Sequence, residues 1–316
     1  MMSPYGHSKH DDSVQRVQAR RLAPFPGNVD LQALLAGSLD ERMRKFRKEL
    51  SRCKRRFSEG AVHDLRVSIR RLISMLDILL TVLPDDGLRK CRKMLKKHLR
   101  AFGPLRDVQV QIVQVAEMVS AYPELAPFLT VLRLREQRYI RKLGKQVQKI
   151  RVSALVQGMA EGRKRVRTPF KNTVTEGAVR AAIIGAAAAG FVRSVNPSAD
   201  VSRSNASSIH KLRVSFKEFR YMVEVLQPIL IGVTDGQLKA MHDYQQRMGD
   251  IQDLEVLTRS VSEFGIGRRR MVKDASSGIQ QELVRRKEVL MDAFVSSADE
   301  LLQFWKDESP PVTFNN

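Results

Sequence analysis

Apolar residues along this chain recur three and four positions apart almost from end to end, the spacing of a helix with one buried face. No stretch holds the strict alternation of a half-buried strand. Leu31, Leu34, Leu35, Leu39, Met43, Phe46 and Leu50 keep the helical spacing at the start. Within Ser58–Leu83, Leu65, Ile69, Leu72, Leu76 and Leu79 gather on one side of a helical projection. His63, Arg66 and Arg70 fall on the other side, within about 60° of each other. Further helices are expected over Leu88–Phe102, from Gly103 through Val119, and from Phe128 towards Met159, with Pro84, Pro123 and Pro127 as breaks. Gly103-Pro104 reads as a helix stop followed by a new first turn.

The pattern is then repeated. At a shift of 147 residues, His63, Leu65, Arg66, Val67, Ser68 and Arg70 fall on His210, Leu212, Arg213, Val214, Ser215 and Lys217. At a shift of 146, Gly103, Asp107 and Val110 fall on Gly249, Asp253 and Val256. Two ordered matches at nearly one offset indicate an internal duplication. Ser58 and Asn205 come into register as helix N-caps. In the later copy the basic stripe runs His210, Arg213, Lys217, Arg220; in the earlier one Ile73 takes the place of Arg220. The stretch Gly162–Gly177 breaks the periodicity and reads as a linker. Beyond it come an alanine-rich helix to Val195, the stripe helix, a helix over Asp235–Met248, the Gly249–Val261 block and a last helix over Ser277–Trp305. Each copy thus reads as about four helices, and the fold class as all-α, most simply a pair of bundles.

Charge sharpens this picture. Lys and Arg total 55 against 34 Asp and Glu, a net charge of +21, more than solubility needs. Such an excess points to a polyanion: nucleic acid, an anionic membrane surface or polyphosphate. Between Glu41 and Val110 we count 20 Lys/Arg against 8 Asp/Glu, so the field is concentrated in the first copy. Aromatic residues make up only 6% of the chain, which weighs against gripping bases by stacking. Cys53 and Cys91 form no metal-binding or disulfide pattern, so a reduced, cytoplasmic protein is expected. No apolar run is expected to reach membrane-spanning length; the most apolar stretch, AAIIGAAAAGFV from Ala181, is short and rich in small residues. Residues 1–28 read as a mobile basic tail without the apolar core of a signal peptide, and 307–316 as a C-terminal tail.

The motifs VHDLRVSIRRL and IHKLRVSFKEFRYMVE, each followed by a block FGPLRDVQV or MGDIQDLEV, resemble the CHAD family, the conserved histidine α-helical domain. The resemblance covers nearly all of the chain after about Val29, as a domain over 29–306 with halves at 29–161 and 178–306 joined by the linker at 162–177. It implies two four-helix bundles related by a pseudo-twofold axis, with a basic cavity between them. It also implies binding of inorganic polyphosphate, and some members localise to polyphosphate granules, where polyphosphate-metabolising proteins would be partners. Carried over residue by residue, the cavity would be faced by His63, Arg66 and Arg70 and by His210, Arg213, Lys217 and Arg220. Lys93, Lys97 and Arg100, with Arg44 and Lys48, are plausible additions. Ile73 stands where the family often has an arginine, and Glu218 stands opposite Arg71, so the two walls need not be equivalent.

Polyphosphate suits these residue types. Arginine offers a forked, permanently charged donor set and lysine a mobile point charge. Histidine donates from both nitrogens once protonated. The reading is of a non-catalytic binder without metal or cofactor. Three alternatives compete: a merely solvated charged face, arginines paired with Asp107 and Asp253, and a protein binding the backbone of RNA or DNA. A metal-dependent phosphohydrolase is disfavoured, because cations at helical spacing around each histidine repel a divalent ion and no nucleotide-binding or nucleophile motif is present.

Overall fold

The computed structural model describes residues 29–148, 150, 152–167, 173–198, 206–267 and 273–305. The tails expected at 1–28 and 307–316, the Asn205 cap and positions 168–172 of the expected linker lie outside the described residues. The described residues are all-helical, without strands. Helix α1 spans Leu31–Arg55, α2 Glu59–Val82, α3 Asp86–Ala101, α4 Gly103–Met118, α5 Ala126–Gln148 and α6 Val152–Arg167. After these come α7 over Thr173–Ser198, α8 over Ala206–Leu226, α9 over Asp235–Gly267 and α10 over Lys273–Val295.

Side-chain caps set the first helices. Asp30 accepts from the Ala33 N–H, Ser58 from Ala61 and Asp85 from Leu88, each satisfying an amide that the helix cannot. Other boundaries depart from the periodicity. The helix expected from Phe128 to Met159 is broken after Gln148, where the Ile150 N–H turns back to the Val147 carbonyl at 3.1 Å and Ile150 is buried. The break lets α6 fold back over α1 and α3. There the backbones approach so closely that a Cβ on Gly87 would lie 2.8 Å from the Gly158 carbonyl oxygen. The expected linker is therefore helical as far as Arg167, with Val166 buried, and α7 has begun by Thr173. In the second half α9 runs unbroken through Met248 and Gly249, and the last helix stops at Val295, short of a 3₁₀ segment over Ala298–Gln303.

The first half thus holds six of these α-helices and the second four. Helices α1, α2, α3 and α6 pack in a closed cycle, while α4 and α5 form a hairpin that leans on α9. The buried side chains fall into three clusters. One is aliphatic and centred on α1, α2, α3 and α6, and it takes in Ile183, Ile184, Met222, Val225 and Leu226 from α7 and α8. A second, within the later half, is aromatic, with Phe216, Phe219, Tyr244, Phe294 and Phe304. A third joins Val108, Val115, Phe128 and Leu132 of α4 and α5 to Leu254, Leu257, Ile279 and Leu283 of α9 and α10. Two of the clusters cross from one half to the other. Helix α7 corrects the expectation about apolar length: Glu176–Ser198 is long and apolar enough to cross a membrane by length and composition. Its Ile183, Ile184, Phe191 and Val195 are nonetheless buried in the first two clusters.

Candidate functional site: a cationic cluster where the two stripe helices meet

Helix α2 is buried along Leu65, Ile69, Leu72, Leu76 and Leu79 and packs against α1, α3, α4, α7 and α8. Its contact with α8 brings the two basic stripes together. His63, Arg66 and Arg70 of α2 and Arg213 and Lys217 of α8 act on one another electrostatically. Five basic side chains from helices far apart in sequence therefore share one half-buried site.

Their charges are poorly compensated. Loss of solvent pushes Lys217 down to about 6, with Arg70, Arg213, Arg66 and Arg220 adding repulsion. Burial likewise pushes Arg66 down to about 10 and lowers Arg70, and it lowers His63, to which Arg70, Arg66 and Lys217 contribute. Arg66 spends one donor on the Leu99 carbonyl at 2.9 Å, in the last turn of α3. The Nε of Arg213 is buried without a hydrogen-bond partner, a costly state for a guanidinium N–H.

Two carboxylates sit within this field. Burial raises Asp107 despite Arg66, Arg213, Arg106 and Arg70, and raises Asp253 despite Arg213 and Arg106. Both act on the arginines through space: among the described residues no ion pair or hydrogen bond joins Arg66 to Asp107 or Arg213 to Asp253. Arg106 is itself paired with Glu59. The glycines that precede the carboxylates lie beside the stripe guanidiniums: a Cβ on Gly249 would lie 3.7 Å from Arg213 Nε and Nη2, and one on Gly103 would lie 4.0 Å from Arg66 Nη1, both ordinary contacts. Among the described residues no group of three or more His, Cys, Asp or Glu side chains could hold a metal ion.

The model of the CHAD domain matches residues 37–261, well over half of the chain. The chain belongs to the CHAD domain family. Its fold is similar to the crystal structure of the CHAD domain from the plant Ricinus communis, with a TM-score of 0.58 at 17% identity, covering 91% of this chain and 96% of that one. It is similar also to PptA from Streptomyces chartreusis, with a TM-score of 0.62 at 15% identity, covering 86% of this chain and 99% of that one. At such identities the likeness is one of fold. No curated protein matches the chain.

Not every residue expected in the CHAD cavity joins the cluster. Arg220 is only 5% exposed and fully engaged: Nη1 donates to Glu224 at 2.6 Å, Nε donates to Gln245 at 3.0 Å, and the guanidinium lies over Tyr221. It acts on Lys217 through space. Ile73, at the corresponding position of α2, is likewise buried. His210 is exposed and shares a 2.8 Å hydrogen bond with Gln252 of α9. Arg44 and Lys48 are exposed on α1 and are not among the charges acting on the cluster. Lys93, Lys97 and Arg100 line a different surface, an open groove along α3.

Periodicity missed a second network. Glu224 of α8 accepts from Arg71 of α2 at 2.8 Å as well as from Arg220, and Arg42 of α1 feels it through space. The i,i+4 spacing of Arg220 and Glu224 was a usable signal for their pairing. Nothing in the chain's pattern linked either to Arg71.

Proposed function

We propose that the protein binds inorganic polyphosphate, without catalysis, through the cluster of His63, Arg66, Arg70, Arg213 and Lys217, with His210 at its rim. The observation that carries this reading is the uncompensated charge. Three arginines, Arg66, Arg70 and Arg213, repel one another and hold down the amine of Lys217, and the two carboxylates near them have their own ionisation opposed by burial. Arg213 has a buried donor without an acceptor. A chain of phosphates supplies both acceptors and negative charge, and has no bases that need reading. Membership of a family associated with polyphosphate adds to this.

In this reading the two stripe helices are the two walls, which need not be equivalent, of a basic cavity between two halves produced by duplication and related by a pseudo-twofold axis. The fall of His63, Arg66 and Arg70 on His210, Arg213 and Lys217 at a shift of 147 supports the duplication. The protein would act in the cytoplasm, with polyphosphate granules and polyphosphate-metabolising proteins as its surroundings.

Calorimetric titration tests the proposal. Long-chain polyphosphate is expected to bind far more tightly than orthophosphate, and to displace duplex RNA at equal charge concentration far better than the reverse. Equal competition by RNA would favour a nucleic-acid backbone binder instead. Release of orthophosphate from polyphosphate in the presence of Mg²⁺ or Mn²⁺ would overturn the non-catalytic part.

A further inference from the structure

One carboxylate joins the two stripe helices. Glu224 of α8 accepts from Arg71 of α2 at both of its oxygens, Nε to Oε2 at 2.8 Å and Nη2 to Oε1 at 3.4 Å. Among the described residues no other hydrogen bond or ion pair links α2 to α8. The carboxylate is held from its other side as well. Arg220 Nη1 donates to it at 2.6 Å, and Arg220 Nε donates to Gln245 of α9 at 3.0 Å. The ring of buried Tyr221 lies within cation–π reach of both guanidinium groups, 4.6 Å from Arg220 and 5.9 Å from Arg71. One hydrogen-bonded chain therefore runs from α9 through α8 to α2, and its carboxylate is only 13% exposed. Burial opposes the charge on Arg71, and Glu224 overcomes that opposition by its own charge and its hydrogen bonds.

The link adjoins the cluster. Arg71 directly follows Arg70 in α2, and Glu224 lies two turns beyond Lys217 in α8, about 10 Å along the axis. The contact is made once. At the shift of 147, Arg71 and Glu224 correspond to Glu218 and Asp77, two acids that attract no partner in each other, and Asp77 pairs with Arg92 of α3 instead. Across the same junction the arginines of the cluster repel one another. A direct bond between α2 and α8 opposes that repulsion. We infer that Glu224 is a positioning residue: through Arg71 it fixes α8 against α2, and so sets the spacing at which Arg66 and Arg70 face Arg213 and Lys217. The inference rests on the polyphosphate reading given above. Phosphates recur along the ligand at a fixed interval, so walls left about 1 Å too loose lose contacts on one side.

The sign of one substitution separates positioning from plain electrostatics. Glu224→Gln keeps the length of the side chain and removes a negative charge beside a polyanion site, so charge alone would tighten binding about twofold to fivefold. Positioning demands the reverse, long-chain polyphosphate held on the order of tenfold more weakly. Arg71→Gln breaks the same link from its more exposed side and leaves Glu224 paired with Arg220. It should lose as much. The double variant Arg71→Gln with Glu224→Gln should lose no more than either alone, because a single contact is missing in all three. Tyr244→Phe serves as the control: it removes a hydrogen bond to the Ala298 carbonyl in the later half, costs stability, and should leave affinity unchanged. Calorimetric titration with long-chain polyphosphate reads the affinities, and thermal unfolding reads the stabilities. Tighter or unchanged binding by Glu224→Gln overturns the inference. Additive losses overturn it too, by making Arg71 a phosphate contact in its own right. Affinity that follows stability across all the variants, the control included, reduces Glu224 to a structural residue. Wild-type protein that does not bind long-chain polyphosphate at all overturns the underlying reading together with the inference, whereas the other failures leave that reading standing.

Discussion

The two halves of the molecule present the same stripe from different surroundings. Around α2 the packing is aliphatic; around α8 it is a nest of Phe216, Phe219, Tyr244, Phe294 and Phe304. In the first half Pro104 follows Gly103, so the chain stops α3 and starts α4. In the second half Asp250 follows Gly249 and one helix, α9, runs through. The stretch Lys90–Arg100 holds six Lys/Arg, whereas Asp235–Met248 holds only Lys239 and Arg247. What is shared is the stripe and the glycine and aspartate that face it. Outward of that the two halves differ, in core composition, in helix continuity and in surface charge.

The largest expected effect tests what is shared. Arg66→Ala combined with Arg213→Ala should cut polyphosphate affinity roughly a hundredfold or more, since each removes a charge-assisted contact of about 1.5–3 kcal/mol. The single variants should lose comparable amounts. A loss carried by only one of them would show that the walls are not equivalent; circular dichroism checks that both stay folded. Next, Asp250→Pro imposes on α9 the break found between α3 and α4. It should cost about 3 kcal/mol in chemical denaturation, because proline inside a continuous helix removes a hydrogen bond and clashes with the preceding turn.

Arg220→Ile gives α8 the residue that α2 has at this position. It removes two buried hydrogen bonds but leaves Glu224 paired with Arg71, so a stability loss of about 2 kcal/mol is expected with affinity hardly changed. A large loss of affinity instead would return Arg220 to the binding wall.

Lys217→Met should stabilise the unliganded protein by roughly 1–3 kcal/mol while weakening binding. The sign follows from linkage. Lys217 is at about 6 in the fold and near 10.4 in an unfolded chain, so over that window the unfolded state holds more protons. Stability therefore rises with pH across it and is flat below about pH 6, and the variant should lose that slope. Bound polyphosphate restores the proton, so wild-type affinity should climb as pH falls towards about 6 and then level. Calorimetry in buffers of different ionisation enthalpy would read the proton uptake. The smallest effect is for Asp107→Asn, which removes an opposing charge without breaking an ion pair and should tighten binding about twofold to fivefold. A weaker complex would mean that the carboxylate positions Arg66.

Periodicity was enough to read the all-helical fold, repetition paired the two stripes, and the family resemblance led to the expectation that Arg66, Arg70, Arg213 and Lys217 meet. Failures had local causes. The break after Gln148 carries no glycine or proline; Ile150 is buried there in the aliphatic cluster, among neighbours distant in sequence. Arg220 keeps the stripe spacing, yet a one-helix projection cannot tell a residue facing a cavity from one facing Glu224, Gln245 and Tyr221. Lys93, Lys97 and Arg100 were recognisable as a charged face, but which way α3 turns that face is set by its packing on α2 and α6.

The crossing of the aliphatic core from one half to the other also governs how the protein comes into being. Ile183, Ile184, Met222, Leu226 and Ile229 complete the core that α1, α2, α3 and α6 begin. A ribosome adds residues in order, so the earlier helices emerge with part of their apolar surface uncovered and stay so until position 229 has left the exit tunnel. Expressed alone, residues up to Arg167 should collect chaperones or aggregate, and should regain solubility when the remainder of the chain is supplied in trans.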